Sequence, residues 1–422
     1  MYRTKTRSHL RNGSMSLLVL GLFMLSACDQ TPEKATTVVV YDGARLIVGN
    51  GSVIENATFT VNDGRVVSAG PSGEISIPTG AGRVNLAGMT VIPAIVDAHT
   101  HMSTTRDALI DDLQRRAYFG VGAAMSMGSD GLDAPLELRE EMISDAARFR
   151  SAGQGITSPE PGRRVVHWVT SESEARQAVR DEAARRVDLI KIWVDDRDGQ
   201  YEQLTPAIYG AAIDEAHQYD LRVAAHIFDL EDGKGLLHAG IDIFAHGVRD
   251  RDIDDEFVGL VNARPDLLLI PNLPERGARA DLGWLAGAIP EEIFEVLQES
   301  NTDQPEAQAA FGIQARNLDR LNGEGVRIAF GTDGNIPWEV HVEMEDMVLA
   351  GMTPGQVLVA ATRNSAEILG LADMGTIEAG KSADFVVLEA NPLDDIKNTR
   401  RIRSVYLRGE EVNRAEIRSR WD

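Results

Sequence analysis

Eight short apolar runs, ending near Asp97, Met127, Gly153, Val194, Ile227, His246, Pro271 and Thr332, constrain this chain more than any other feature. Amphipathic stretches such as SESEARQAVRDEAARR and TPAIYGAAIDEAHQY separate them. Strands that alternate with helices in this way favour a parallel sheet covered by helices. Eight is the number that closes a (β/α)8 TIM barrel, whose catalytic side chains gather where the strands end. A chain of 422 residues, 43% hydrophobic, is ample for one such core with a smaller satellite.

The satellite is expected from the two ends. TTVVVYDGARLIVGNG, ATFTVNDGRVVSAG and GRVNLAGMTVIPA lie before the first barrel run, and MGTIEAGKSADFVVLEANP and RIRSVYLRGEEV come after the last. Asn62-Asp63-Gly64 between alternating runs is a hairpin signal. Residues 37–93 and 374–422 should therefore form a small β-sandwich flanking a barrel of residues 94–373. Thr353-Pro354-Gly355-Gln356 marks a helix start, with a capping threonine and a glutamine three residues on.

Residues 1–27 have the layout of an export signal: Arg3, Lys5, Arg7 and Arg11, an apolar run from Met15 to Leu25, then Leu-Ser-Ala before Cys28. The run is too short for a permanent span. Cys28 is the only cysteine, which excludes an intramolecular disulfide. Its setting resembles the lipobox of bacterial lipoproteins, which implies a lipid anchor on Cys28 and a chain facing the periplasm; the alternative is a soluble secreted protein. In some lipoproteins an aspartate such as Asp29 marks retention in the inner membrane. Residues 28–36 read as a tether. The net charge of -23 repels nucleic acid and anionic lipid, and a homo-oligomer is left open.

The strand ends carry the chemistry. In His99-Thr100-His101 the two imidazoles project to one side of a strand and fit one ion. His226 and His246 each close an apolar strand, one helix apart; a lone strand-end histidine is more often a hydrogen-bonded structural group. Lys191 sits in the apolar run Val187 to Val194, where a charged ammonium is costly. Either it pairs with a neighbouring aspartate, or its desolvated free amine takes up carbon dioxide and the carbamate bridges two cations. Asp333, in Gly331-Thr332-Asp333-Gly334, offers a carboxylate at the eighth strand; a helix N-cap is its structural alternative.

Together these residues resemble the amidohydrolase superfamily, in the branch with imidazolonepropionase-like enzymes, metal-dependent prolidases and ochratoxin-hydrolysing amidases. VIPAIVDAHTH, DLIKIW, AHI, AHG and GTDG match its strand motifs, and residues 344–396 are similar to its C-terminal signature. The resemblance implies two divalent ions, zinc first. His99, His101 and Asp333 would hold the more buried ion, His226 and His246 the more exposed one, and carbamylated Lys191 would bridge them. It also implies hydrolysis of an amide in a peptide-like or N-acyl amino acid substrate, with Asp333 as general base and then acid. Ala94 replaces a common glycine, and Ser158-Pro159-Glu160-Pro161 a common Gly-Gly-His stretch. An esterase, lactonase or phosphotriesterase on the same centre is the main alternative; a binding lipoprotein without turnover is another. Candidate substrate contacts are His167, Arg249, Tyr118 and Arg279. Trp193 reads as core, His341 as a group behind the ligands or on the surface, and residues 272–325, with Arg276 and Trp284, as a lid or pocket wall.

Overall fold

The computed structural model describes residues 38–131 and 134–421. The leader, Cys28, Asp29 and the tether lie outside the described residues. Five strands open the described chain: β1 (Val39–Ile47), β2 (Val53–Asn62), β3 (Arg65–Pro71), β4 (Gly82–Asn85) and β5 (Thr90–Pro93). β2 turns into β3 at Asp63-Gly64, both at positive φ (49° and 71°), as a two-residue hairpin requires.

Through Ala94 alone, β5 runs into β6 (Ile95–Thr100), which forms a three-stranded parallel sheet with β7 (Val121–Ser126) and β8 (Arg148–Ser151). A second sheet holds β9 (Ile156–Thr157), β10 (His167–Trp168), β11 (Ile190–Val194), β12 (Val223–Ile227), β13 (Ile243–Phe244), β14 (Leu268–Leu269) and β15 (Arg327–Ile328), in the order β10-β9-β11-β12-β13-β14-β15. Each of the eight expected runs supplies a strand. β9 and β10 are additions that the apolar pattern did not announce. Backbone bonds link the margins of the two sheets: Ala98 N–H donates to Phe330 O (2.9 Å) and Asp188 N–H to Ser151 O (3.0 Å).

Strand alternation sorts the side chains. Val96, Ala98, Ala123, Met125, Ala224 and Leu268 belong to one buried cluster, whereas Ile95, Val121, Ile190, Val223 and Phe244 belong to a larger one that includes helix residues. Leu189 lies in the first cluster, and Lys191, two residues on, shares its side of the strand. The same parity relates Ala224 to His226.

β16 (Phe385–Leu388), β17 (Ile402–Leu407) and β18 (Glu410–Glu411) join the N-terminal strands in one eight-stranded sheet, ordered β18-β17-β16-β5-β1-β2-β3 with β4 on β1. Tyr41 stacks on Phe59 (centroids 4.8 Å apart) and Phe385 on Tyr406 (4.6 Å) within its core. Arg148 of β8 reaches Asp373 (2.9 Å) and Ser382 (2.8 Å), tying the parallel strands to this C-terminal segment. Thr353 forms the expected capping box with Gln356. The 272–325 segment contains the expected helix Glu291–Ser300 and a longer one, Pro305–Gly323. Among the described residues, no helix is long and apolar enough to cross a membrane.

Candidate metal centre

The last turn of β6 and the turn after β15 meet at a single carboxylate. His99 Nε2 lies 3.1 Å and His101 Nε2 3.2 Å from Asp333 Oδ1, and His246 Nε2 lies 3.5 Å from Asp333 Oδ2. The His99 and His246 rings are 5.1 Å apart, and His226 packs edge-on against His246 at 4.4 Å. His99, His101 and Asp333 each offer a ligand atom within 4.8 Å of the others. His99 Nε2, His101 Nδ1, His246 Nε2 and Lys191 Nζ are buried without a hydrogen-bond partner. Buried polar atoms are rarely left so, and imidazoles beside a carboxylate suit a divalent transition cation. The residues therefore fit such an ion.

Protonation states agree with that use. Burial takes His99 down to about 3, and the nearby Lys191 adds to it; burial takes His226 down to about 4 against the opposing bond to Asp195. Burial also holds His246 well below its ordinary value. Neutral imidazole is the form that ligates. Burial lowers the Lys191 amine to about 7, against the pull of Asp333 and with help from Arg163 and Arg249. For the Asp333 carboxyl burial acts upward, but His99, His246 and His101 outweigh it and hold the group far below the carboxylate range.

The aspartate alternative for Lys191 is not what the structure shows. Asp188 engages Arg139 and Arg150, and Asp195 engages Arg197 and His226 Nε2 (3.0 Å). Trp193 is buried, as expected, 5.5 Å from the Lys191 amine to its ring centroid and stacked under Arg163 at 4.5 Å. Gly128, at φ +89°, leaves the room the lysine stem occupies: a Cβ there would meet Lys191 Cγ at 2.8 Å.

Asp333 is not a helix cap, since the following helix begins at Glu339. It stands at φ +59°, a strained position for a residue with a side chain, and its N–H donates to His99 O (2.8 Å). Buried Asp97 accepts from Thr332 Oγ1 (2.8 Å) and Thr332 N–H (3.2 Å), so the strand-one motif also fastens this turn. Asn272, at φ +45°, is the group that sequence reasoning missed. With its amide oxygen facing the donors, it accepts from His99 Nδ1 (3.2 Å) and Asp333 N–H (3.0 Å) while its nitrogen donates to Ile270 O (3.2 Å). That bond leaves His99 Nε2, which faces Asp333, as the ring nitrogen available to an ion. Its only sequence signal is its place just after the seventh run. Asn272→Ala is expected to weaken metal affinity by about 10- to 100-fold, measured by chelator competition.

The proposed substrate contacts separate. Arg249 lies at the site, its guanidinium against His246 Nδ1, and lines a cavity of about 640 Å³ with Asn272, Leu273, Asp333, Trp338 and Glu343. Arg276 lines the same cavity and pairs with Glu345 and Asp346. The other three are elsewhere. His167 bonds to buried Glu182 (2.8 Å). Tyr118 ends the helix that feeds the start of β7, away from the strand ends, and packs on Phe119 and Trp421. Arg279 lines a separate cleft with Gln298, Glu299, Asn301 and Thr302. His341 is neither at the surface nor behind the ligands: it is buried between Thr399 Oγ1 and Phe119 O (both 3.1 Å).

Residues 90–412 match the model of the amidohydrolase family, a span that takes in every ligand candidate. The chain belongs to the amidohydrolase family. It is accordingly a hydrolase of carbon–nitrogen bonds, of the TIM-barrel type, in a family whose members use divalent metal ions. It is 27% identical to an imidazolonepropionase from Deinococcus radiodurans over 398 residues, covering 86% of this chain and 94% of that one. Its structure is similar to that of a putative prolidase from Bifidobacterium longum, with a TM-score of 0.75, 27% identity and coverage of 91% and 98% of the two chains. A Xaa-Pro dipeptidase with bound methionine shares the fold at a TM-score of 0.71 and 23% identity, with 89% and 99% covered.

Proposed function

We propose that this amidohydrolase is a binuclear enzyme that cleaves an amide bond in a peptide-like or N-acyl amino acid substrate, with carbamylated Lys191 bridging two divalent ions, zinc first. The observation that carries this reading is the Lys191 amine: fully buried, without a hydrogen-bond partner, and lowered to about 7 within the electrostatic reach of Asp333, His99 and His226. We read the two parallel sheets as arcs of one closed (β/α)8 barrel, and the sheet from both ends as a small sandwich around the Tyr41 and Phe385 rings. The leader and Cys28 support a lipid-anchored protein facing the periplasm.

Divalent ions bound at this centre supply the Lewis acidity that brings a water toward ionisation at neutral pH and polarises the substrate carbonyl. Asp333 then accepts the proton of the attacking water on its carboxylate and returns it to the leaving nitrogen. Buried His99 and His246 keep bulk water from one side of that carboxylate. Arg249, in the cavity lining, holds a substrate carboxylate by charge-assisted hydrogen bonds. Arg249→Met is expected to raise KM for substrates with a free carboxylate about 10- to 100-fold more than for their amidated analogues, while both share any loss in kcat that follows from removing the partner of His246 Nδ1. Parallel steady-state assays measure this.

The reading is tested by assaying the purified protein side by side on dipeptides, N-acyl amino acids, lactones and phosphotriesters, with metal analysis of the same sample. Turnover confined to lactones or phosphotriesters would replace the substrate assignment. A metal-free protein without turnover would support the binding lipoprotein.

A further inference from the structure

The helix Arg106–Tyr118 turns a stripe of Leu109, Leu113 and Arg116 toward the core. The third position calls for another leucine, yet it holds an arginine at 0% exposure, among the largest fully buried side chains. A guanidinium taken out of water is expensive unless its surroundings repay it, and a local rule broken this way often marks a functional constraint. The surroundings of Arg116 are the turn that carries Asp333. Its Nη2 donates to Gly334 O (2.9 Å) and to Asn335 Oδ1 (3.4 Å). Gly334 O also accepts from the backbone N–H of His101 (3.3 Å). One carbonyl oxygen therefore joins the ligand strand, the Asp333 turn and the buried guanidinium.

The neighbouring charges complete the clamp. Asp97, Asp112 and Glu339 are the carboxylates that face Arg116. Asp97 grips Thr332 on one side of Asp333, and Asp112 accepts from Asn335 Nδ2 (2.9 Å) on the other. Asp333 lies between these grips in a backbone conformation that is costly for a residue with a Cβ. Without a restraint on the Gly334 carbonyl, the turn would relax and carry the carboxylate away from His99 and His101.

We infer that Arg116 is a positioning residue for hydrolysis: from behind the metal centre it fixes the Gly334 carbonyl and so holds the Asp333 carboxylate where proton transfer occurs. This inference rests on the reading of Asp333 as the proton carrier. Its signature is a loss in kcat with little change in KM that exceeds any loss of metal, because His226, His246 and Lys191 lie outside the clamp, which touches only His101 and the Asp333 turn.

The test uses Arg116→Met and Arg116→Lys in the full chain, with Asp333→Asn alongside. Each is measured for kcat, KM, melting temperature, and zinc and cobalt uptake by the chelator-stripped protein. Arg116→Met should lower kcat at least tenfold, with KM within twofold and most of the metal uptake retained. Arg116→Lys, which keeps the charge but reaches fewer acceptors, should recover part of that loss and remain three- to tenfold below the parent. If the methionine variant does not fold, the lysine variant decides alone. Parental kcat in either folded variant, or metal lost in proportion to activity, overturns the inference. Retained turnover in Asp333→Asn would instead overturn the reading of Asp333, whatever the Arg116 variants do.

Discussion

Replacing Lys191 with methionine is expected to lower kcat by about 10^3-fold or more, while the metal-free protein melts at or above the parental temperature. The two halves of this result have separate causes. Methionine fills the space beside Gly128 and Trp193 and removes an amine that is buried without a partner, so the apolar packing keeps its contacts. What disappears is the one lysine amine that the described residues bring to the site, and with it the candidate for a bridging carbamate.

The pH dependence follows from the same group. In the folded protein the amine lies at about 7, below its ordinary 10.5. Between those values the unfolded chain binds the extra proton, so the metal-free parent should gain stability as pH rises from about 7 toward 10.5 and lose it as pH falls. The methionine variant should lack that slope. At fixed dissolved carbon dioxide the free amine is roughly tenfold more abundant at about pH 8 than at about pH 6. Reconstitution of the stripped parent with zinc should accelerate accordingly. Thermal melts of chelator-treated samples and the rate of activity recovery measure both effects. Reconstitution independent of carbon dioxide would remove the carbamate from the mechanism.

Asp333→Asn is expected to lower kcat by about 10^2- to 10^4-fold and to retain most of the bound metal. The carboxamide has nearly the same shape and tolerates the left-handed backbone that position 333 requires, so the turn and its bonds to Asp97 and Arg116 should persist. It cannot accept and return a proton at neutral pH. Metal content by mass spectrometry and single-turnover rates separate the two properties. A rate within tenfold of the parent would assign proton transfer to another group.

The strand-borne part of the site was legible in the sequence because a strand end is a one-dimensional signal. His99, Lys191, His226 and His246 each close or interrupt an apolar run, and the parallel arrangement brings such ends to one rim. Groups that act from loops left no such mark. Asn272 orients His99 by a turn conformation that spacing does not encode, and Asp195, visible in the sequence, could not be told apart as a partner of His226 rather than of Lys191. Tyr118, read as a substrate contact, and His341, read as a group behind the ligands or on the surface, both sit in the packing around Phe119, where helix phase carried them. Arg116 followed the apolar stripe of its helix, and only the folded turn shows what it holds. The strands β9 and β10 are two residues long and are defined by their partners rather than by any periodicity of their own.

Strand β16 pairs with β5 across almost three hundred positions, and β5 passes through a single residue into the strand of His99 and His101. A nascent chain therefore leaves the ribosome with an open edge beside its first ligands until the tail has been made. Contacts so distant along the chain make for slow folding. An ion that needs both His99 and Asp333 would then be captured late. Asp333 is the last candidate ligand along the sequence, and a stop codon placed between it and β16 is expected to cost the metal as surely as losing a histidine.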